Sequence, residues 1–244
     1  MHLNFKKKFP RNSALLNKAI QGFTILELSI ALVVIGLIIG AVTIGKDVQR
    51  GASYQRLSSD FVQAWASAYD QFYTGTGRPP GDNVAAPTGL VNAVVGTPLT
   101  GLALRNAMLA AGITLPAGRA EGFEDQYVYL DSNGIPQNVQ VSFMAVSWSE
   151  AGASAGQYVS RNRNVMVLTG LTPSLANMLD NTFDSRSNAS FGKMREVTQH
   201  NITTANRTAV LWSDNDSSGV TNGANARRDE DQVVTLSAYI QMSR

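Results

Sequence analysis

From Phe23 to Gly45 the chain runs for 23 residues with a single charge, Glu27. About 20 apolar residues are enough to cross a bilayer as a helix. The preceding segment, residues 1–22, holds Lys6, Lys7, Lys8, Arg11 and Lys18 and no acid. Positive charge ahead of a span puts the N-terminus in the cytoplasm and everything after Lys46 outside. A removable secretory signal would have an apolar core of about 7–15 residues ending at an A-x-A-like site. This run is longer, and Gly45-Lys46-Asp47 is a poor site. A plain signal anchor fits the length but leaves Glu27 unexplained. An acid at the centre of such a span costs about 2.5–3.5 kcal/mol on insertion scales, so it calls for a partner.

The helical pattern continues past the apolar run. No proline occurs between Arg11 and Arg78, and Tyr54, Leu57, Phe61, Trp65, Ala68 and Phe72 recur in steps of three or four. That spacing predicts one helix from Phe23 to about Tyr73, apolar all round in its first half and amphipathic in its second. Residues 23–45 are then a transmembrane helix and 46–73 its amphipathic continuation. Within the apolar half, Gly36 and Gly40 form a G-x-x-x-G pair that permits close helix approach.

Residues 74–244 read as an α+β head. Thr74 to Asn83, with three glycines and two prolines, must break the helix. Leu99 to Ala111 reads as a short helix ending at Gly112. Tyr127–Leu130 and Val139–Val146 flank Asp131-Ser-Asn-Gly134 and read as a hairpin. Val165–Leu168 is a further strand. Thr172-Pro173 opens a second short helix, threonine as N-cap and proline at its first position, running to Leu179 or Phe183. Val210–Trp212 and Val233–Ile240 are expected as the last strands. A long helix, an irregular connection and a small antiparallel sheet make the class α+β.

Gly22-Phe23-Thr24-Ile25-Leu26-Glu27, followed at once by the apolar run, resembles the processing site of type IV pilins and type II secretion pseudopilins. The shared pattern is glycine, an apolar residue, three residues, then glutamate. The resemblance implies that residues 1–22 are a leader removed by a prepilin peptidase cutting between Gly22 and Phe23, and that Phe23 is then N-methylated. It implies that Glu27 serves assembly by pairing with the α-amino group of Phe23 on a neighbouring subunit. The expected protein is a structural subunit, not an enzyme, with a pilin-like fold. Its partners would be the peptidase, further copies of itself, other pilins or pseudopilins, an inner-membrane assembly platform and the lipid bilayer. Its location would be the bacterial inner membrane as a single-pass protein with a periplasmic head, and then a pilus or pseudopilus. Pro79-Pro80-Gly81-Asp82, and Leu171 through Asp180, Asp184 and Gly192, also resemble one pseudopilin-like group. Many pilins carry a proline in the apolar half of the helix, and this chain departs from them in having none.

Composition narrows the chemistry of the head. With no cysteine, thiolate metal sites, disulfides and cysteine nucleophiles are excluded, and His2 and His200 are the two histidines. Gly152-Ala153-Ser154-Ala155-Gly156 matches the G-x-S-x-G elbow, and Asp180 or Asp184 and then His200 follow in hydrolase order. That motif needs a strand before the serine and a helix after it, and the residues after Gln157 lack helical periodicity. A loop between strands fits better, so no catalytic residue is assigned, and a membrane-anchored serine hydrolase is the remoter alternative. Asp214-Asn215-Asp216-Ser217-Ser218-Gly219 resembles the start of a calcium loop, with Asn225 where an EF-hand needs glutamate. Major pseudopilins can hold calcium in a C-terminal loop, which makes Asp214 and Asp216 candidate calcium ligands, with Asp229, Glu230 and Asp231 further on. The other account is a solvated polar loop of turn formers. Arg161, Arg163, Arg186, Arg195, Arg207, Arg227 and Arg228 would suit a DNA- or ligand-binding minor pilin at a filament tip. Acids are interspersed and no basic–aromatic stripe is present, so nucleic acid is not expected as a partner. The basic balance itself belongs to the leader, because the chain beyond residue 22 carries 15 basic and 18 acidic residues.

Overall fold

The computed structural model describes residues 22–213, 216–220 and 233–243. The chain divides into two units, Met1–Lys46 and Asp47–Arg244. Helical backbone extends from Ile25 to Thr76, 52 residues, the one helix among the described residues long and apolar enough to cross a membrane. It comprises α1 (Ile25–Arg56), a π-helical segment (Leu57–Gln63) and α2 (Ala64–Thr76). In the first unit the apolar side chains of α1 have no protein cover, with Ile25 88% and Leu37 69% exposed.

In the second unit the stripe read from the sequence is the buried face. Tyr54, Leu57, Phe61, Trp65, Ala68 and Phe72 are all 5% exposed or less. The π-helical segment, not expected from periodicity, adds Ser58 and Val62 to that face by widening one stretch of the spiral. α2 runs to Thr76, three residues into the segment expected to break it, and is capped by Gly77, whose N–H bonds to the carbonyl of Tyr73 at 2.8 Å.

The expected short helix is α3, Gly101–Ala110, slightly narrower than the sequence suggested because Leu99 pairs with Phe143 instead. The remaining elements are β1 (Gln126–Leu130), β2 (Pro136–Ala151), β3 (Tyr158–Leu171), α4 (Pro173–Asp184), β4 (Met194–Glu196) and β5 (Leu236–Gln241). The strands form one antiparallel five-stranded sheet in the order β1-β2-β3-β5-β4. The architecture is therefore α+β, a long apolar N-terminal helix with a small antiparallel sheet. Alternation along the strands divides the core between the two sheet faces. Val139, Val141, Phe143, Met166, Leu168 and Ile240 join the helix stripe, while Val146, Trp148, Val165, Val167 and Tyr239 pack on the other face.

Two strand expectations need correction. Val210–Trp212 is not a strand; Trp212 makes a lone bridge to Val220, and its indole N–H is turned inward to Asp180. The last strand begins at Leu236 rather than Val233, and β4, too short for an alternation signal, had no counterpart in the reading. α4 opens as expected, with Pro173 in its first turn and the Thr172 hydroxyl accepting from Leu175 N–H.

Candidate functional site

The start of the apolar helix is built from four residues. Gly22, Phe23 and Thr24 precede the helix in exposed, non-helical backbone. Thr24 is the N-cap: its carbonyl accepts from Leu28 N–H at 3.1 Å and its hydroxyl from Glu27 N–H at 3.2 Å. In return one Glu27 carboxylate oxygen accepts from the Thr24 N–H and from its hydroxyl, each at 3.1 Å. This reciprocal arrangement is a capping box, which satisfies otherwise orphaned donors at a helix start. Its signature, threonine followed three residues later by glutamate, lies in the sequence, although Glu27 was expected there only to serve assembly. Placing an anion in the first turn also suits the helix dipole. The carboxylate of Glu27 thus has a local hydrogen-bonding role within one chain, beside any contact with a second subunit.

In the head, Pro79-Pro80-Gly81-Asp82 begins a loop organised by one buried carboxylate. Asp82 accepts from the N–H groups of Asn83 (2.8 Å), Thr88 (3.0 Å) and Gly89 (2.8 Å) and from the Thr88 hydroxyl (2.9 Å). Burial alone would raise its pKa, but these donors outweigh it and hold the carboxyl below its usual range. The loop is fastened to β3 by buried Asn164, which accepts from Val91 N–H at 2.9 Å and donates to the Gly89 carbonyl at 2.8 Å. The sequence marks the turn, whereas the role of Asn164, 75 residues from Gly89, carries no local signal.

Ser154 lies in the connection between β2 and β3, exposed, its carbonyl accepting from Gln157 N–H at 3.1 Å. A strand, not a helix, follows it, so the elbow context is missing, as the periodicity indicated. His200 turns Nδ1 to the Val197 carbonyl at 2.6 Å and packs edge-on against Tyr239. Burial, and then the positive charge of Arg195, oppose the Val197 contact and hold its pKa below the ordinary histidine range.

Asp214 lies outside the described residues, as do Arg227, Arg228, Asp229, Glu230 and Asp231. Asp216 is buried, and its two carboxylate oxygens accept from Ser174 N–H (2.9 Å) and the Ser174 hydroxyl (3.0 Å) at the start of α4. Among the described residues no group of three or more acidic, histidine or cysteine side chains is arranged to hold a metal ion.

Among the described residues the candidate arginines do not form one basic face. Arg163 makes two contacts to Glu150, at 2.5 and 3.0 Å, and Arg161 lies 3.6 Å from the same carboxylate. Arg195 is buried over the Trp148 ring, donating to the carbonyls of Gly192, Ser149 and His200. Arg207 covers Phe191 and donates to four groups, the Ser149 hydroxyl and the carbonyls of Ile202, Ser190 and Gln199. Arg186 is exposed. Two of the candidates therefore serve as internal ties for the segment after β4.

Comparison with protein-family models, with curated proteins and with solved structures returns no match for this chain.

Proposed function

We propose that this chain is a prepilin-class structural subunit, cleaved between Gly22 and Phe23 and assembled through its apolar helix into a type IV pilus or type II secretion pseudopilus. One observation carries the reading: an exposed, non-helical Gly22–Thr24 leads directly into an uncovered apolar helix whose first turn holds Glu27. A peptidase needs non-helical backbone at the bond it cuts, and Gly22 and Phe23 lie ahead of the helix in such backbone. Uncovered apolar surface is costly in water, so the helix requires lipid first and neighbouring helices afterwards. Cleavage creates an ammonium at Phe23, four residues from the carboxylate that the capping box already positions. In hydrocarbon that carboxylate favours a cation, and the Phe23 amine of a second subunit supplies one. The basic residues before the helix favour an N-terminus in the cytoplasm and a head across the bacterial inner membrane.

The test is the intact mass and N-terminal sequence of the protein from its host's membrane fraction, with filament fractions probed for the wild type and Glu27→Ala. The expected wild-type chain begins at methylated Phe23. Glu27→Ala is expected to be cleaved and inserted yet absent from filaments. A chain still beginning at Met1 beside an active prepilin peptidase would make it a signal anchor instead.

A further inference from the structure

Asp180 and Asp184 stand four residues apart in the closing turns of α4, an arrangement that brings two acids side by side. Asp180 is fully buried. One of its oxygens, Oδ2, accepts from the Trp212 indole N–H at 2.7 Å and from Asn188 N–H at 2.6 Å. The other, Oδ1, is buried and has no hydrogen-bond donor among the described residues. Asp184 is differently supplied: its oxygens accept from Lys193 N–H (2.8 Å to Oδ2) and Met194 N–H (2.9 Å). Gly192 leaves room for that carboxylate, since a Cβ there would stand 2.2 Å from its Oδ2.

Charge does not resolve the conflict. Among the described residues neither acid has an ammonium or guanidinium within ion-pair distance. The other buried carboxylate oxygen that lacks a hydrogen bond, Glu124 Oε2, lies 3.4 Å from Arg105 Nε and so has its cation. Around the pair, α4 contributes the two acids themselves, the loop after it Asn188 and Lys193 as backbone donors, β4 the more distant charge of Arg195, and the segment after β4 the neutral Trp212. The C-terminal end of a helix disfavours anions as well. Two carboxylates in this setting have one economical state, a single proton between them. The donor-free oxygen assigns it: each acid holds two N–H groups, but Asp180 Oδ1 is buried without one, so Asp180 Oδ1 carries the proton and turns it to Asp184.

We propose that Asp180 and Asp184 share one proton at neutral pH, and that this proton is a pH-sensitive latch fastening the segment from Asn188 to Trp212 onto α4. Desolvation, and then the neighbouring Asp184 charge working against the Asn188 and Trp212 donors, push the pKa of Asp180 up to about 7. The sign follows from linkage. The folded state holds a proton that the unfolded state releases at the ordinary carboxyl value, so the latch is complete below about pH 4 and is lost as pH rises to about 7. Deprotonation then sets a buried anion against its half-buried neighbour.

The test compares wild type with Asp180→Asn in the full-length chain in detergent, with unfolding followed from pH 4 to 8. The asparagine carbonyl keeps the Trp212 and Asn188 bonds, and its amide donates permanently to Asp184. His200, whose pKa burial holds below the ordinary histidine range, contributes with the opposite sign, so the readout is the difference between the two proteins. The expected result is near-equal stability at pH 4 and a growing advantage for Asp180→Asn above it, approaching about tenfold in the unfolding equilibrium per pH unit until the proton is lost. Parallel profiles would overturn the proposal. A measurement on the wild type alone guards against a variant that fails to fold: the carboxyl carbon resonance of Asp180 should titrate near pH 7, and a midpoint near 4 would overturn the latch. Stabilisation of the wild type at pH 8 by millimolar calcium or magnesium, reversed by chelator, would also overturn it, by showing a cation where the proton is placed.

Discussion

Gly170 shows how much one residue can decide in this head. It sits in the irregularity between Leu168 and Leu171, where β3 slips its register against β5. Its φ of +79° lies in the left-handed region, and an added Cβ would stand 2.1 Å from the carbonyl oxygen of Asn138 in β2. Its own carbonyl accepts from the Tyr129 hydroxyl at 3.0 Å, and that hydroxyl in turn accepts from Thr172 N–H at 2.9 Å. One buried phenol therefore joins the bulge to the start of α4. Gly170→Ala is expected to destabilise the head by more than the roughly 1–3 kcal/mol of backbone strain alone, because β2 must also move. Gly89→Ala, at φ +76° but facing open space, should cost only the strain. Chemical denaturation of the two variants side by side checks this, and equal losses would mean that the Asn138 contact relaxes freely.

At the scale of elements, the α1–α2 face is held to the sheet by rings. Tyr54 meets Tyr129 edge-on with centroids 5.8 Å apart, Phe61 lies 5.3 Å from Tyr127, and Tyr69 lies 5.0 Å from Phe143. Phe61 is fully buried within the π-helical segment. Truncating a buried phenylalanine leaves a cavity and costs roughly 3–5 kcal/mol. Phe61→Ala should therefore lower the denaturation midpoint of the head, with membrane insertion unaffected because the apolar run lies elsewhere. A loss below about 1 kcal/mol would show that the helix face collapses into the gap. The positions of this face were legible because a 3.6-residue period survives in sequence. The π-helical segment was not, since Ser58 and Val62 lack any mark of a widened turn. β4 was hidden for a related reason: three residues are too few to show alternation, and Arg195 and Glu196 do not look like core until Trp148, Ser149 and the Thr198 donors surround them.

For the whole molecule, the exposed apolar helix predicts behaviour that the head alone would not. The protein is expected to stay with membranes through alkaline carbonate washing and to require detergent for release. Ile35→Arg combined with Ile38→Arg adds about 5–7 kcal/mol of insertion cost and should raise the carbonate-extractable fraction. Wild-type protein released by carbonate would sink the membrane reading. This assay does not depend on cleavage at Gly22, so it separates the anchor from the filament role.

The sequence by itself determined the apolar helix, its buried second-half stripe, a break within Thr74–Asn83 and the α+β class. Each of these rests on short-range periodicity or on local backbone preference, which a chain carries wherever it folds. The Thr24–Glu27 box has a local spacing too, but Glu27 was expected only as an assembly residue, and the box emerged with the structure. Only the tertiary structure decided that Asn164 fastens a loop 75 residues away, that Asp216 serves the start of α4, and that Trp212 turns inward to Asp180. Those contacts join residues far apart in the chain, and a donor or acceptor shows its partner only when folding has removed water from both.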